Sequence, residues 1–538
     1  MKKILVVQLC RVGDILMTGP LLRGLRREHP SAEISLLVMD AFAATPLPGH
    51  LYDQLLVFPV GSLALTLAKK DVGWEPALDE LRRFVKDLGP APFDLVVNLT
   101  HTDMSGLMTS LVPARKRVGL VARADRRKGI DSPWMTYLRA TARSREFACF
   151  HLVDLFSWTA GIGRDAAGLE IDVAADDHVW AETLLATHGL TGKPIIAMQL
   201  GASQESKQWP TDRFAALADA LDPSLGEVVL VGSPGERPLG EAFMARVNRH
   251  VTNNVGDSSL RQLAALLQRC RVLVTNDTGP MHIATAVGTR VIDMSSGRVC
   301  AHETGPYGEG NVVVEPEMAC YPCSLDSECH HFACRTVVNP RDAAAVVRYV
   351  LGQGPVPMMT GARVLQGRRV GPTGRLEFQP VGTAPTIRDA VRTAAAEVWE
   401  ASLHAPSRVG DGWRDDVDTA REAAGGQPGE REDIRCQLQA VALEAEVTVT
   451  RARALPKASP AKLQTLATEV HASLEKLLAI GESTRATHTL VTHLRHEIDS
   501  IVAADLNAMA RAQASAYAAT AVRARELAGR LAVLVTEG

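Results

Sequence analysis

The sequence predicts an α/β fold made of two similar halves, followed by a region that is helical throughout. Apolar, strand-like runs alternate with amphipathic helical stretches in residues 1–175, and the same alternation restarts after Pro194. From Ile387 onward the chain becomes rich in Ala, Glu, Arg and Leu, with apolar residues three and four positions apart. Alternating strands and helices indicate parallel sheets covered by helices, whereas a sustained helical period indicates a bundle or helical hairpin.

The individual elements follow from these patterns, and each half is expected to be Rossmann-like. The first half has expected strands at residues 4–9, 33–38, 55–58 and 94–99, and helices at 15–27 and 76–88. Helical stretches around a loop at 161–164 then bridge residues 150–192. The second half has expected strands at 194–198, 227–231, 272–275, 289–294 and 312–314, and helices at 211–221, 236–247, 260–267 and 340–351.

These elements divide the chain into four parts. The predicted parts are an N-terminal domain (1–175), a second domain (176–352), a linker rich in Gly, Pro and Arg (353–386) and a helical extension (387–538). Ligands of doubly wound sheets bind outside the carboxyl ends of the strands, so two such domains are expected to face a common cleft. The extension shows no catalytic constellation, and we expect it to pack, to oligomerise or to bind a protein.

Composition excludes several classes of protein. The 538 residues carry a formal charge of −3, with 46% hydrophobic and 22% charged residues, which argues against global disorder and against a nucleic-acid partner. Aromatic residues make up only 4%, too few for a base-stacking protein. The apolar N-terminus is interrupted by Gln8, Arg11 and Asp14, so a first strand is preferred to a signal peptide. We therefore expect a cytoplasmic protein, in peripheral contact with the inner membrane at most.

The most informative motif runs from Asn276 to Ala284, directly behind an apolar strand. Asp277 and Thr278 suit a helix N-cap, and Gly279 lets a ligand approach the backbone. Free N–H groups and the helix dipole at such a turn favour an anionic ligand that carries phosphate. His282 lies on the first helical turn and is expected to reach the same ligand.

Three further loops follow strands and are expected to face the same crevice. Asp14 lies after Gly13 at the end of the first strand, where it either faces the cleft or caps the next helix. Lys207 either neutralises a diphosphate or is a solvated surface charge. Glu236 either binds ribose hydroxyls or caps its helix. A Walker A ending and a Gly-x-Gly-x-x-Gly run are both missing from the expected places, which argues against those nucleotide-binding classes.

Two other clusters leave alternatives open. Cys320, Cys323, Cys329 and Cys334 have metal-like spacing, with two histidines between them, and fit a structural zinc or iron–sulfur cluster as well as reduced or paired cysteines. A basic segment contains Arg115, Lys116, Arg117, Arg123, Arg126, Arg127 and Lys128. It either meets a phosphorylated glycolipid at the membrane or is a solvated surface.

Taken together, these motifs resemble glycosyltransferase family 9, the lipopolysaccharide heptosyltransferases. The resemblance covers about residues 1–352, and the Asp-Thr-Gly-x-x-His run is its most specific part. The matching segments are Gly13-Asp14 with Pro20, 207–210, Gly232 with Glu236, 256–260, 276–282, 305–307 and the cysteine cluster. It implies a GT-B fold and metal-independent, inverting transfer of a heptose from a nucleotide-diphosphate donor such as ADP-heptose. The implied acceptor is the lipopolysaccharide core or a related surface glycan, and no cofactor is required.

The resemblance also implies roles for particular residues. Asp14 is the expected general base on the acceptor hydroxyl. Gly13, Arg115, Lys116 and Arg117 are expected on the acceptor side, which in this family is the N-terminal domain. The residues expected to bind the donor are Ser203, Lys207, Glu236, Ser258, Asp277, Thr278, Gly279 and His282.

Two features depart from the family pattern. The strand ending at Ile292 continues as Asp293-Met294-Ser295-Ser296-Gly297, where the family has apolar residues and a Gly-Pro turn. The helical extension also exceeds the usual family length. Alternative functions from the sequence are a catalytically silent scaffold that works through the helical extension, and a nucleotide-sugar epimerase.

Overall fold

The computed structural model describes residues 2–69, 73–89, 91–122, 128–130, 132–324, 329–404, 428–455, 460–483, 485–500 and 506–535. The chain divides into two compact units. The first comprises Met1–Arg126, His151–Cys323 and Glu328–Thr383, and the second is formed mainly by Arg127–Phe150 and Ala384–Gly538. The first unit contains both predicted Rossmann-like domains, which we call the N-lobe and the C-lobe.

The N-lobe is a parallel sheet with helices between its strands, as predicted. Its strands are β1 (Lys3–Val7), β2 (Glu33–Met39), β3 (Gln54–Phe58), β4 (Phe93–Asn98) and β5 (Ala114–Ala122), neighbouring in the order β3-β2-β1-β4-β5. Its helices are α1 (Val12–Met17), α2 (Gly19–Glu28), α3 (Val60–Leu67), α4 (Glu75–Asp87) and α5 (Asp103–Leu111). The helix predicted at 15–27 is thus two helices. Thr18 separates them, and its hydroxyl donates to the Asp14 carbonyl oxygen at 2.9 Å.

The segment that follows corrects a predicted boundary. Residues 127–150, assigned from sequence to the N-terminal domain, cluster with the helical extension instead. They carry β6 (Lys128–Ile130) and α6 (Pro133–Ala140). The physical reason is aromatic packing, since the ring centroid of Tyr137 lies 5.2 Å from that of Trp399 in the extension. The segment was assigned to the N-terminal domain because it follows β5 in the sequence, and no local pattern indicates its contact with the distant extension.

The C-lobe repeats the architecture on a larger scale. After α7 (Leu152–Thr159), which packs on α2 of the N-lobe, come the helices of the C-lobe. They are α8 (Ala175–Thr187), α9 (Thr211–Ala220), α10 (Arg237–Met244), α11 (Leu260–Leu267), α12 (Gly279–Ala286), α13 (Ala301–Thr304) and α14 (Pro340–Val350). Its parallel strands are β7 (Ile195–Gln199), β8 (Glu227–Gly232), β9 (Val251–Val255), β10 (Val272–Thr275), β11 (Arg290–Met294) and β12 (Val312–Pro316). They neighbour in the order β9-β8-β7-β10-β11-β12. Apolar side chains of β7, β8, β10, β11 and β12 form a buried core with α9 and α14.

The predicted linker at 353–386 is wrong over most of its length. Residues 362–381 form a hairpin of β13 (Ala362–Val370) and β14 (Arg375–Val381), and β13 pairs antiparallel with β12. Its apolar residues Val364, Leu365, Leu376 and Phe378 are buried. The two strands contain Gly, Pro and several arginines, so their composition resembled a linker even though their buried residues join the C-lobe sheet.

The extension is helical, as predicted. Its described helices are α15 (Ile387–His404), α16 (Pro428–Ala454), α17 (Pro460–Ser483), α18 (Arg485–Ser500) and α19 (Leu506–Val535). On α17, Val470, Leu474 and Leu477 are buried at the three- and four-residue spacing that predicted a helix. The Gly-Gly-Gln-Pro-Gly run at 425–429 lies partly outside the described residues, and α16 begins at Pro428. None of the described helices has both the length and the apolar run that a membrane span requires.

Candidate functional site

The N-lobe contributes Asp14 to the site. β1 ends at Val7, and α1 begins a few residues later, so Asp14 lies in the first turn of a helix at the carboxyl edge of the sheet. The backbone N–H of Arg11 donates to Asp14 Oδ2 at 3.1 Å, so the predicted capping role is real. Asp14 nevertheless lies within electrostatic range of Asp277 and Lys207 in the C-lobe. The capping interpretation is therefore confirmed, and the role of Asp14 toward a ligand in the cleft stays a prediction.

The environment of Asp14 raises the pKa of its carboxyl group. Burial is the largest effect and, together with the negative charge of Asp277, raises the pKa of Asp14 to about 6. The hydrogen bond from Arg11 and the positive charge of Lys207 act in the opposite direction. A carboxylate with a pKa near 6 is ionised at neutral pH and is a stronger base than an ordinary aspartate.

Across from Asp14, the C-lobe brings together a lysine and a carboxylate. Lys207 Nζ lies 3.0 Å from Asp277 Oδ2, and the side chain of Asp277 is only 7% exposed. Thr304 donates its hydroxyl to the same oxygen at 3.3 Å. Lys207 is therefore oriented at the edge of the crevice, where its charge can be shared with an anionic ligand.

Asn276 fixes the loop that carries this lysine. Its side-chain oxygen accepts from the backbone N–H of Trp209 at 2.8 Å. Its amide nitrogen donates to the carbonyl oxygens of Leu200 and Gly201, both at 3.0 Å. A buried Asn at the end of β10 thus ties the loop after β7 to the turn before α12, which explains how separate loops converge.

The turn into α12 has the geometry expected of an anion site. Thr278 occupies the N-cap position, but its side chain makes no capping bond and instead donates to Gln199 Oε1 at 3.1 Å. The threonine hydroxyl therefore leaves the N–H groups of the first turn to other acceptors. A Cβ at Gly279 would lie 3.6 Å from Val12, so α1 approaches this helix start closely.

His282 lies against the N-lobe. A Cβ at Gly13 would lie 2.5 Å from the His282 ring, so only glycine fits at this position. Burial lowers the pKa of His282 to about 4, and the ring is therefore neutral at pH 7. Among the described residues, its buried Nδ1 has no hydrogen-bond partner. The motif histidine and Gly13 are thus joined by packing, which the sequence could not show.

Glu236 caps its helix, one of its two predicted roles, and its contact with ribose hydroxyls stays a prediction. Its Oε2 accepts from the backbone N–H of Ser233 at 2.6 Å, which is the capping bond. Its Oε1 accepts from Gln199 Nε2 at 2.7 Å, which connects Glu236 to the hydroxyls of Thr275 and Thr278 through the same glutamine. Gln199 thus joins the loop after β8 to the turn before α12, and sequence reasoning missed it because it is the last residue of a buried strand.

Other predicted residues are less constrained. Ser203 is exposed and Ser258 is half-buried. The N-cap of α11 is Ser259, the residue after Ser258, and its hydroxyl accepts from the Gln262 N–H at 3.2 Å. The roles of Ser203 and Ser258 toward a donor stay predictions.

The structure does not bring Arg115, Lys116 or Arg117, the described part of the basic segment, to the site. Lys116 pairs with Leu95, which pairs with Ile4 near the start of β1, about 10 Å before the carboxyl end of that strand. Arg115 lies 3.4 Å from Asp94. Arg117 donates to the carbonyl oxygens of Thr109, Val112 and Ala114. Arg123, Arg126 and Arg127 lie outside the described residues, as does the side chain of Lys128.

The four clustered cysteines are neighbours in space and carry free thiols. Burial, and then the charges of Cys334, Cys329 and Cys320, raise the pKa of the Cys323 thiol. In the part of the chain that the structure describes, no three or more His, Cys, Asp or Glu side chains are placed to hold a metal ion. The zinc or iron–sulfur expectation therefore gains no support from this geometry.

A buried acid next to the site had no predicted role. Asp293, one of the residues that depart from the family pattern, pairs across the sheet with Thr275 and is fully buried. Neither carboxylate oxygen has a hydrogen bond of normal geometry among the described residues. Burial and then the charge of Asp277 raise its pKa well above the usual value, while Lys207 and Ser295 oppose the shift.

Comparisons with known proteins agree with this geometry. Residues 81–331 match the model of glycosyltransferase family 9 (heptosyltransferase). Lipopolysaccharide core heptosyltransferase OpsX of Haemophilus influenzae is 22% identical over 298 residues, covering 54% of this chain and 78% of the relative. Lipopolysaccharide heptosyltransferase 3 of Escherichia coli is 24% identical over 291 residues, covering 52% and 79%. A family 9 glycosyl transferase structure from Veillonella parvula has a TM-score of 0.51 at 20% identity, covering 66% of this chain and 98% of that one.

The two lobes share the two-domain fold of that family 9 structure, which confirms the predicted GT-B fold class. Residues 81–331, a little under half of this chain, are thus similar to glycosyltransferase family 9, and its curated relatives are lipopolysaccharide heptosyltransferases. The helical extension beyond residue 384 lies outside the matched region.

Proposed function

We propose that this glycosyltransferase moves a heptose, with inversion, from ADP-heptose or a related nucleotide-diphosphate sugar to the lipopolysaccharide core or a related surface glycan. The observation that supports this most strongly is the placement of Asp14 on one lobe within electrostatic range of the Lys207–Asp277 pair on the other. An inverting transfer needs a base and a stabilised leaving group on two sides of one sugar carbon, which this arrangement supplies.

The proposed reaction is a single displacement. Asp14 takes the proton of the acceptor hydroxyl while its oxygen attacks the anomeric carbon of the donor. The bond from that carbon to the diphosphate oxygen breaks, and the nucleoside diphosphate leaves with the electron pair. Lys207 and the N–H groups at the start of α12 stabilise the departing charge. No metal takes part in this proposal.

Donor binding gives the first test. We expect an ADP-sugar to raise the Tm more than UDP-, GDP- or dTDP-sugars do, because a ligand that binds only the folded state stabilises it by mass action. Lys207→Ala should weaken this binding about tenfold or more, since a charge-assisted contact to phosphate is lost. Thermal shift followed by calorimetry would measure both effects.

The matched control is Lys193→Ala, which removes an exposed lysine paired with Glu227 at 3.1 Å on the same lobe. It should leave donor binding as in the wild type. If none of the nucleotide sugars stabilises the protein, or if Lys207→Ala binds the donor as tightly as the wild type, the proposal is wrong.

We further propose that the acceptor is a membrane-borne glycolipid and that the N-lobe contacts the lipid surface. The support is an unusual set of exposed apolar side chains on the helical layer of α3, α4 and α5. This N-lobe apolar surface consists of Leu65, Leu67, Trp74, Met104, Leu107 and Leu111. Trp74 is 61% exposed and Leu65 is 70% exposed. Met104 is the second residue of α5, on the crevice side of the sheet. Exposed Trp and Leu side chains of this kind favour the membrane interface.

Vesicle binding tests this surface. We expect the protein to sediment with phospholipid vesicles and a Leu65→Ser, Trp74→Ser double variant to bind about tenfold or more weakly, because each buried apolar side chain contributes about 1.5–3 kcal/mol. Val179→Ser, which changes a residue of the C-lobe that is 60% exposed, is the control. Equal vesicle binding by the double variant and the wild type, or no binding by either, would show that lipid contact occurs elsewhere or not at all.

A further inference from the structure

The turn at residues 304–307, which begins with the last residue of α13, borders the Lys207–Asp277 pair. Thr304 donates its hydroxyl to Asp277 Oδ2 at 3.3 Å, the same oxygen that lies 3.0 Å from Lys207 Nζ. The carbonyl oxygen of Gly305 lies 2.8 Å from His151 Nε2. The position of this turn therefore helps to set the position of the carboxylate that orients Lys207.

The far end of the turn is held by the hairpin that the sequence did not predict. Tyr307 donates its hydroxyl to Asp154 Oδ1 on α7 at 2.6 Å. Arg369 of β13 donates to the Tyr307 oxygen at 3.0 Å, and its guanidinium lies 4.4 Å from the ring centroid. The backbone N–H of Leu376 in β14 donates to Asp154 Oδ2 at 3.3 Å.

The hairpin also packs directly on the turn. A Cβ at Gly305 would lie 2.8 Å from Cζ of Phe378 in β14, and 2.6 Å from the carbonyl oxygen of Ala301. Phe378 is buried. Glycine at position 305 is therefore required by the hairpin, and the turn cannot move toward β14.

The positive charge of Arg369 stabilises the ionised form of the buried Asp154 carboxyl group. Asp154 is buried, and burial raises the pKa of its carboxyl group. The Tyr307 hydroxyl and then the positive charge of Arg369 act against that shift. Without Arg369, one of the interactions that offset the cost of burying the Asp154 carboxylate would be lost. The hydrogen bond between Asp154 and Tyr307 would then hold Tyr307 less firmly.

We infer that Arg369 is a positioning residue for donor binding: through Tyr307 it holds the 304–307 turn so that Thr304 keeps Asp277, and with it Lys207, in place for the diphosphate. This inference rests on the proposed function, because it concerns the same diphosphate contact. It assigns a role to a hairpin that lies beyond the residues matched by the family model.

The test compares steady-state kinetics of two neighbouring arginines. We expect Arg369→Ala to raise the donor KM about fivefold to tenfold, with the acceptor KM little changed, because one charge-assisted hydrogen bond is lost at a distance from the chemistry. Arg369→Lys should recover part of the effect by restoring the charge. Arg368→Ala, on the exposed side of the same strand, is the matched control and should behave as the wild type.

A double variant separates positioning from loss of stability. Thr304→Val alone should raise the donor KM by a similar factor, and combining it with Arg369→Ala should add little, because both changes act through Asp277. If Arg369→Ala fails to fold, Tyr307→Phe is a milder change, because it removes only the hydroxyl that joins Arg369 to Asp154. An unchanged donor KM in Arg369→Ala, or fully additive effects in the double variant, would overturn the inference while Lys207→Ala still weakens donor binding. If Lys207→Ala has no effect either, the proposed function fails as well.

Discussion

Asp14→Asn should slow sugar transfer by about 10²–10⁴-fold while leaving donor binding nearly unchanged, because the amide cannot take the acceptor proton. Asparagine keeps the shape of the side chain and can still accept from the Arg11 N–H, so α1 retains its cap. Transfer is measured with the nucleotide sugar and its acceptor, and donor binding by calorimetry. A variant that transfers sugar at the wild-type rate would remove Asp14 from the mechanism.

The pH dependence provides a second measurement on the same residue. The base form of Asp14 is the ionised one, and its pKa is about 6. The transfer rate of the wild type should therefore rise as pH increases through 6 and level off above about 7. The residual rate of Asp14→Asn should lack this rise. A wild-type rate that falls through the same range would indicate a group that acts as an acid instead.

Asp293→Asn should increase the free energy of unfolding, by an amount that grows with pH. The raised pKa means that folded Asp293 keeps a proton which the unfolded chain releases above its ordinary pKa of 3.8. Stability is therefore lost as pH rises from that value toward the folded pKa, at about 1.4 kcal/mol per pH unit. Asparagine has no proton to lose, so the variant should escape this loss.

Denaturant unfolding between pH 4 and pH 8 measures the effect. The wild type and Asp293→Asn should be closest in stability at the lowest pH and diverge as pH rises. Asp87→Asn, at an exposed position of α4, should give a curve parallel to the wild type. A constant difference between Asp293→Asn and the wild type across the range would mean that Asp293 is ionised in the folded protein like any surface acid.

The helical extension shows where sequence reasoning is dependable. A three- and four-residue apolar period predicted its helices, and Leu474 and Leu477 are indeed buried on one of them. Residues 127–150 show the opposite case, because nothing local to Trp134 or Tyr137 indicates that their partners lie beyond residue 384. Periodicity is a local property of the chain, whereas the assignment of a segment to a unit depends on contacts between distant residues.

The hairpin at 362–381 was not predicted from the sequence, for a related reason. Its strands contain Gly, Pro and several arginines among their apolar residues. Pairing with the edge strand β12 buries those apolar residues and makes the segment a strand pair. Composition could not distinguish it from a linker, although it supplies Arg369 and Phe378 to the turn beside the Lys207–Asp277 pair.

The sequence by itself determined the α/β class, the two-lobe arrangement and the polar loops at the strand ends. Strand and helix periods and capping residues are recognisable within short segments of the chain, without knowledge of distant contacts. It also singled out Asp14, Lys207, Asp277 and His282. Only the tertiary structure decided that Gly13 packs on the His282 ring and that Lys207 pairs with Asp277. It alone decided the acidities of Asp14 and Asp293 as well, because a pKa depends on burial and neighbouring charges that distant parts of the chain bring together.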